Sequence, residues 1–311
     1  MTGFWVQTLH QAIISGTPLT IAGSGELLVE TAGLINLGVE GMMLVGAVTA
    51  YAATLASHNV WLGLMCGFFV GCVSGALHAL FTVSLRINQI AIGLVIVFLG
   101  TGVSGYLGSS IAGTPLNSGI ASIPVPVLSR IPILGPIFFQ QDFVVYGSVA
   151  LTVAIWLFLR LTVSGLDLRS VGENPAAADA AGVRVYLIRY LAAVIGGGLA
   201  GFAGGYFVIA FAHAWADRIT NGQGWIAIAL VIAARWQPLR LLLFALLFGV
   251  VQSLDYSLQA WGTDIPTSLL HMFPYLFTLL VMAATALRRA RRFRGLGPAA
   301  LGLPYDREER V

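Results

Sequence analysis

The stretch Arg169-Ser170-Val171-Gly172-Glu173-Asn174-Pro175, continuing as AAADAAGVRV to Val185, is a polar island between two long apolar runs. It reads as a short capped helix. Asn174 offers a side-chain acceptor to the free N–H groups of a first turn, and Pro175 suits the first helical position. Alanine-rich residues including Ala177 and Ala178 follow, and Gly182 takes the left-handed stop. A helix of one or two turns does not hold itself together in water, so this one exists to press against something. With Arg169, Arg184 and Arg189 around it, it reads as a docking element on the inner face of a membrane protein.

Composition agrees. The 311 residues are 58% hydrophobic and 9% charged, with a mean hydropathy of +0.88. Soluble domains carry about 25% charged residues, so this chain cannot cover a water-facing surface. Runs long enough to span about 30 Å of hydrocarbon recur along it. They are continuous rather than alternating, which excludes a membrane β-barrel. All 16 basic residues are Arg. Without Lys no GxxxxGK[ST] phosphate loop is possible, so the chain is no Walker-type ATPase. Cys66 and Cys72 share one apolar run on different helix faces and suggest neither a disulfide nor a metal site. The five His have no metal-ligand spacing, and no cleavable signal peptide is evident.

The expected fold is an all-α polytopic bundle of eight to ten spans, one transmembrane domain over 1–311. Candidate spans are 4–23, 34–56, 60–84, 89–111, 143–162, 187–211, 223–236, 239–258 and 268–287. Placing loop 163–186 and the tail 288–311 in the cytoplasm puts every arginine inside except Arg130 and Arg218, as the positive-inside rule demands. Segment 24–41 carries Glu26, Glu30, Asn36 and Glu40 among apolar residues. It is an interfacial loop or a broken helix, tolerated at membrane depth only where protein or a cavity surrounds it. Nine full spans put the N-terminus outside; a split early segment makes ten and puts it inside. The proline-rich stretch 113–142 is the main extracytoplasmic loop, either a plain connection or a membrane-surface cap. Gly63, Gly67, Gly71 and Gly75, and again Gly197, Gly201 and Gly205, form ridges for close helix packing in lipid.

Four of these elements carry a family resemblance. GLINLGVEGMMLVGA (33–47), LRINQIAIGL (85–94), RSVGENPAAADAAGV (169–183) and GQGWIAIALVIAARWQPL (222–239) resemble permease subunits of bacterial ABC importers of the ribose/galactose, nucleoside and branched-chain amino acid superfamily. LINLGVEGMM and GWIAIALVIAARWQP look most like the shorter nucleoside-type permease. The resemblance implies a multi-pass subunit of the bacterial cytoplasmic (inner) membrane that forms a solute path. It implies no cofactor in this chain, ATP and Mg being held by a separate ABC ATPase. It further implies a second permease subunit, an extracytoplasmic solute-binding protein and contact with membrane lipid, and no nucleic acid. The solute the resemblance implies is a nucleoside, or alternatively a simple sugar or other small polar solute. An ion-coupled secondary transporter is the further rival. An intramembrane enzyme lacks the acid–base or metal set it would need.

The residues divide accordingly. Gly172, Glu173, Asn174, Pro175, Ala177, Ala178 and Gly182 are the candidate coupling surface, against the alternative of a merely capped connector. Asn36 and Glu40, one helical turn apart, are candidates to line the path, because an ionisable group at membrane depth is a functional hypothesis by default. The alternative for Glu40 is a carboxylate satisfied by backbone groups in a broken helix. Gln89 is a path candidate or, with Asn88, a helix-start cap. Trp225 is a stacking surface for a base or an interfacial anchor.

Overall fold

An apolar run in lipid must close its own backbone hydrogen bonds, and a helix does so within one segment. The computed structural model describes residues 2–116, 119–260, 269, 272–289 and 297–306. Its helices are α1 (Thr2–Thr31), α2 (Val39–Ser57), α3 (Val60–Ala79), α4 (Gln89–Gly108), α5 (Leu134–Phe138), α6 (Phe143–Leu161), α7 (Val163–Glu173), α8 (Pro175–Ala180), α9 (Val185–Tyr206), α10 (Gln223–Ala234), α11 (Pro238–Ala260) and α12 (Phe273–Arg289). Wider π-helical turns, Leu80–Ser84 and Phe207–Ala212, extend α3 and α9. Among the described residues the extended pairing is a single antiparallel bridge between Ser122 and Asp142.

Among the described residues, 7 helices are long and apolar enough to cross a membrane, and two shorter apolar ones cover Gln223–Ala234 and Phe273–Ala283. These occupy the nine positions expected from sequence. Side-chain caps start several of them. Asn59 accepts from Trp61 N (3.0 Å) ahead of α3, and Asn88 from Ala91 N (3.0 Å) ahead of α4. Asp142 accepts from Val144 N (2.8 Å) ahead of α6 and also receives the Tyr206 hydroxyl (2.6 Å).

The glycine ridges bring α2, α3 and α9 into backbone contact. A Cβ on Gly71 would stand 2.2 Å from the Gly197 carbonyl oxygen, and one on Gly201 would stand 2.3 Å from that of Gly67. The ridges therefore pack helices within this chain. α1 lies antiparallel to α11 in the same manner, with Gly249 against Ala12 and Gly16 against Ala245.

Contacts at the two ends of α1 orient the bundle. Near its start, the His10 Nδ1–H donates to the Pro136 carbonyl (2.8 Å), in the loop that holds α5. At its far end, Thr31 meets Gly172 of α7, where a Cβ would come within 2.0 Å of the Thr31 carbonyl oxygen. The start of α1 thus lies on the side opposite α7 and α8. On the orientation expected from the arginines, with the arginine-rich end cytoplasmic, that start lies on the outer side.

Two expectations are corrected. The first span does not stop at residue 23, because α1 continues through Glu26 and Glu30 to Thr31. Both carboxyl groups are buried in protein, and Glu30 Oε2 receives the Trp236 Nε1–H (2.5 Å) from 206 residues away. Nor is the end of the chain a plain tail. Residues 297–306 fold back, with Ala300 N donating to Gly172 O (2.9 Å) and Gly302 N to Gly33 O (3.1 Å). Arg189 Nη1 donates to Leu303 O (3.3 Å), and Arg86 pairs with Asp306. Arg291, Arg292, Arg294, Arg307 and Arg310 of the expected tail lie outside the described residues.

Candidate functional site

Two irregular segments meet at mid-depth. The first, residues 32–38, separates α1 from α2 and climbs from the inner end of α1. Its backbone is satisfied by side chains: Ile35 N donates to Gln89 Oε1 of α4 (2.7 Å), and Gly38 N to Asn36 Oδ1 within the break itself (3.0 Å). Gln89, buried at the first position of α4, therefore pins the break, while Asn88 does the capping. Asn36 lies in the break rather than in α2, so Asn36 and Glu40 do not share a helix face as their spacing suggested.

The second segment, residues 213–222, descends from the end of α9. His213, Arg218, Asn221 and Gly222 all have positive φ there. It delivers α10, whose 12 residues rise about 18 Å, too little to cross the hydrocarbon. This helix begins partway through the bundle and ends two residues before Trp236, which lies beside Glu30 at the far end of α1. Its starting depth is fixed by Glu40, whose neighbour Gly41 faces Gly100 near the middle of α4; a Cβ on Gly100 would lie 2.5 Å from the Gly41 carbonyl oxygen.

The Glu40 carboxyl group joins the two segments. Its Oε1 accepts from the Thr220 hydroxyl (2.6 Å) and Gly222 N (2.9 Å), and its Oε2 accepts from Gly224 N (2.7 Å). This is an anion at the positive end of a helix, the place where exposed N–H groups and the helix dipole both favour negative charge. Gly224 is required for the approach, since a Cβ there would fall 2.4 Å from Glu40 N. Of the two sequence readings of Glu40, the geometry matches the carboxylate held by backbone groups. Trp225 diverges from this cluster and is 38% exposed at the first turn of α10.

Beside the crossing lies a chamber of about 70 Å³ lined by Thr220, Asn221, Gln223, Gln252, Asp255 and Tyr275 among others. Gln223 and Gln252 are buried, each with a side-chain oxygen that no donor among the described residues reaches. The chamber therefore offers hydrogen-bond acceptors at membrane depth. Thr220, Gln252 and Asp255 escaped the sequence reading; a polar residue in an isolated apolar run was the available signal.

At the inner end, the expected short helix is α8. Asn174 Oδ1 accepts from Ala177 N (2.9 Å), Pro175 is its first residue, and Gly182 has φ +87° with Val183 N returning to Ala178 O (3.0 Å). Gly172 and Glu173 belong instead to α7, an additional helix capped by Thr162 through Gly165 N (3.0 Å). Glu173 Oε2 accepts from Ala299 N (3.3 Å), so it ties down the returning C-terminal segment and takes no part in the α8 cap. Gly172 packs on Thr31 and Pro298. Ala178 is buried, whereas Pro175 and Ala177 face outward in part. Of the coupling candidates, Gly172 sits against the end of α1, next to the 32–38 break, whereas Ala178 packs with Val171, Val185 and Tyr305. Among the described residues, no group of three His, Cys, Asp or Glu could hold a metal ion.

Comparison with known proteins fits this architecture. The chain is 36% identical to a putative glucose ABC transporter permease protein of Haloferax volcanii, over 96% of this chain and 97% of the other. It is 36% identical to the nucleoside ABC transporter permease protein NupC of Lactococcus lactis, covering 87% and 89% of the two chains. It is 33% identical to the guanosine ABC transporter permease protein NupQ of Bacillus subtilis, covering 96% of each. A solved inward-facing metal-chelate type ABC transporter, described as putative, shares the fold with a TM-score of 0.52 at 17% identity, over 90% of this chain and 85% of that one. The family model described as branched-chain amino acid transport system / permease component matches residues 8–283. The chain belongs to that family and is an ABC transporter permease subunit, a multi-pass membrane protein.

Proposed function

We propose that this chain is a permease of an ATP-driven nucleoside importer. In this reading it pairs with a second permease, takes solute from an extracytoplasmic binding protein and is driven by a separate ABC ATPase that holds ATP and Mg. The observation that carries the nucleoside reading is the match to two relatives named for nucleoside and guanosine transport, at 36% and 33% identity over most of both chains. The path runs past the crossing at Glu40. Neutral acceptors such as Gln223 and Gln252 suit the hydroxyls and base N–H groups of a nucleoside without trapping it. At about 70 Å³ the chamber has room for water but not for a nucleoside, so transport requires α10, α11 and α12 to part.

The drive enters through α7 and α8. Because Gly172 rests on Thr31, a displacement of α7 moves the end of α1 and the break behind it. Asn174→Ala removes the α8 cap and weakens that helix by about 1 kcal/mol. ATPase co-purification and uptake are expected to fall while the amount of inserted permease stays constant. Unchanged co-purification and uptake would refute the docking role.

The solute is tested with the binding protein that serves this permease. Calorimetric titration should give tight binding of purine or pyrimidine nucleosides and none of glucose. The glucose-permease relative keeps a sugar as the rival, and tight glucose binding without nucleoside binding would decide for it.

A further inference from the structure

At the arginine-rich end, two adjoining grooves of about 590 and 390 Å³ share Leu159, Arg169, Trp236 and Gln237. They run between the α6–α7 corner and the turn from α10 to α11. Their walls carry Arg160, Arg169, Arg235 and Arg240, together with Trp156 and Trp236. The candidate path does not use this set, and of the coupling region Arg169 and Glu173 of α7 reach it.

The geometry points to a binding site for the phosphate headgroup of an anionic membrane lipid. Charge is the first reason. The two grooves are lined by four arginines and one carboxylate, Glu173, which already receives the Ala299 N–H (3.3 Å). Among the described residues the ion pair formed is Arg86 with Asp306, so none of the four arginines is neutralised there. Guanidinium groups match phosphate oxygens in geometry as well as charge.

Position is the second reason, and it favours lipid over a soluble protein. Trp156 and Arg160 stand in the last turns of α6, and Leu239 in the first turn of α11, both membrane-crossing helices. The outward side chains beside the groove are apolar: Leu157 is 39% exposed, Leu161 76%, Leu239 43% and Leu243 54%. A headgroup held by the arginines would lay its acyl chains along these leucines. Basic clefts between helices at the inner leaflet are the usual seats of anionic lipid.

The groove is also held open by its own structure. The Arg160 guanidinium lies 5.1 Å from the centroid of the Trp156 ring, which fixes its direction. Arg235 and Trp236 both adopt left-handed backbone, φ 57° and 53°, a conformation unfavourable for these residues. The bond from Trp236 Nε1 to Glu30 holds that turn in place and presents Arg235 to the groove.

Native mass spectrometry of the purified full-length permease in detergent, with phosphatidylglycerol or phosphatidylcholine added, tests the assignment. Phosphatidylglycerol should be retained preferentially. Arg160→Gln with Arg169→Gln, and separately Arg240→Gln, should weaken it by roughly tenfold or more, while Arg→Lys at the first two positions keeps part of the affinity. These side chains are exposed, and a monodisperse gel-filtration profile confirms that the variants fold. Equal retention of both lipids, or unchanged phosphatidylglycerol affinity in every variant, would overturn the proposal. So would displacement of the lipid by the ATPase subunit together with loss of ATPase binding in the same variants, which would give the groove to that protein. None of these outcomes depends on which solute is carried.

Discussion

Glu40→Leu is expected to abolish transport and to leave little correctly folded permease in the membrane. The substitution leaves the Thr220 hydroxyl and the N–H groups of Gly222 and Gly224 facing a methyl group at mid-depth. Hydrogen bonds to a charged group contribute about 1.5–3 kcal/mol each. Losing even part of three such bonds is comparable with a domain's whole stability, about 5–15 kcal/mol. Glu40→Gln is the graded control. Its amide oxygen can still accept from Thr220 and Gly222, but its NH₂ then points at the Gly224 N–H, donor against donor. Intermediate thermal stability in detergent and reduced uptake are the expected result. The measurement is the midpoint of a detergent melt alongside uptake per inserted molecule. A Glu40→Leu protein as stable and active as wild type would show that the carboxylate does not hold α10.

The second large effect is expected in the glycine ridge. A methyl group on Gly46 would stand 2.3 Å from both Cα and the carbonyl oxygen of Gly201, and one on Gly71 2.2 Å from the carbonyl oxygen of Gly197. Each obstacle is helix backbone, which cannot rotate aside, so α2, α3 and α9 must separate. Overpacking commonly costs about 1–3 kcal/mol, and a whole interface of backbone contacts puts Gly46→Ala and Gly71→Ala at or beyond the top of that range. Gly102→Ala and Gly147→Ala are the matched controls, since nothing lies within 4 Å of either added methyl. They should express and melt like wild type or slightly better, alanine being the stronger helix former. Equal behaviour of the two pairs would contradict the packing described.

What the sequence disclosed follows the range of the interactions involved. The α8 turn was readable because Asn174, Pro175 and Gly182 set their own local backbone. The span positions were readable because apolar length is additive along a run, and the ridges because every fourth residue shares a helix face. α7 was missed. Its eleven residues mix polar and apolar, and it is held by Gly172 on Thr31 and Ala300 on Gly172, contacts distant in sequence. The extent of α1 was missed for the same reason. Glu26 and Glu30 look like the end of a span until Trp236 is brought to Glu30. The mid-depth start of α10 depends on Glu40 reaching Thr220 across 180 positions. A carboxylate and a later Thr-Asn-Gly-Gln-Gly run carry no local mark of that pairing.

The most direct measurement is uptake into proteoliposomes that contain this permease, its permease partner and the ATPase, with the solute-binding protein and a radiolabelled nucleoside outside and ATP sealed inside. The account predicts nucleoside accumulation that requires ATP and the binding protein, is competed by unlabelled nucleosides and is untouched by excess glucose. Accumulation of glucose in place of nucleoside, or nucleoside uptake driven by an ion gradient without ATP or the ATPase, would contradict it.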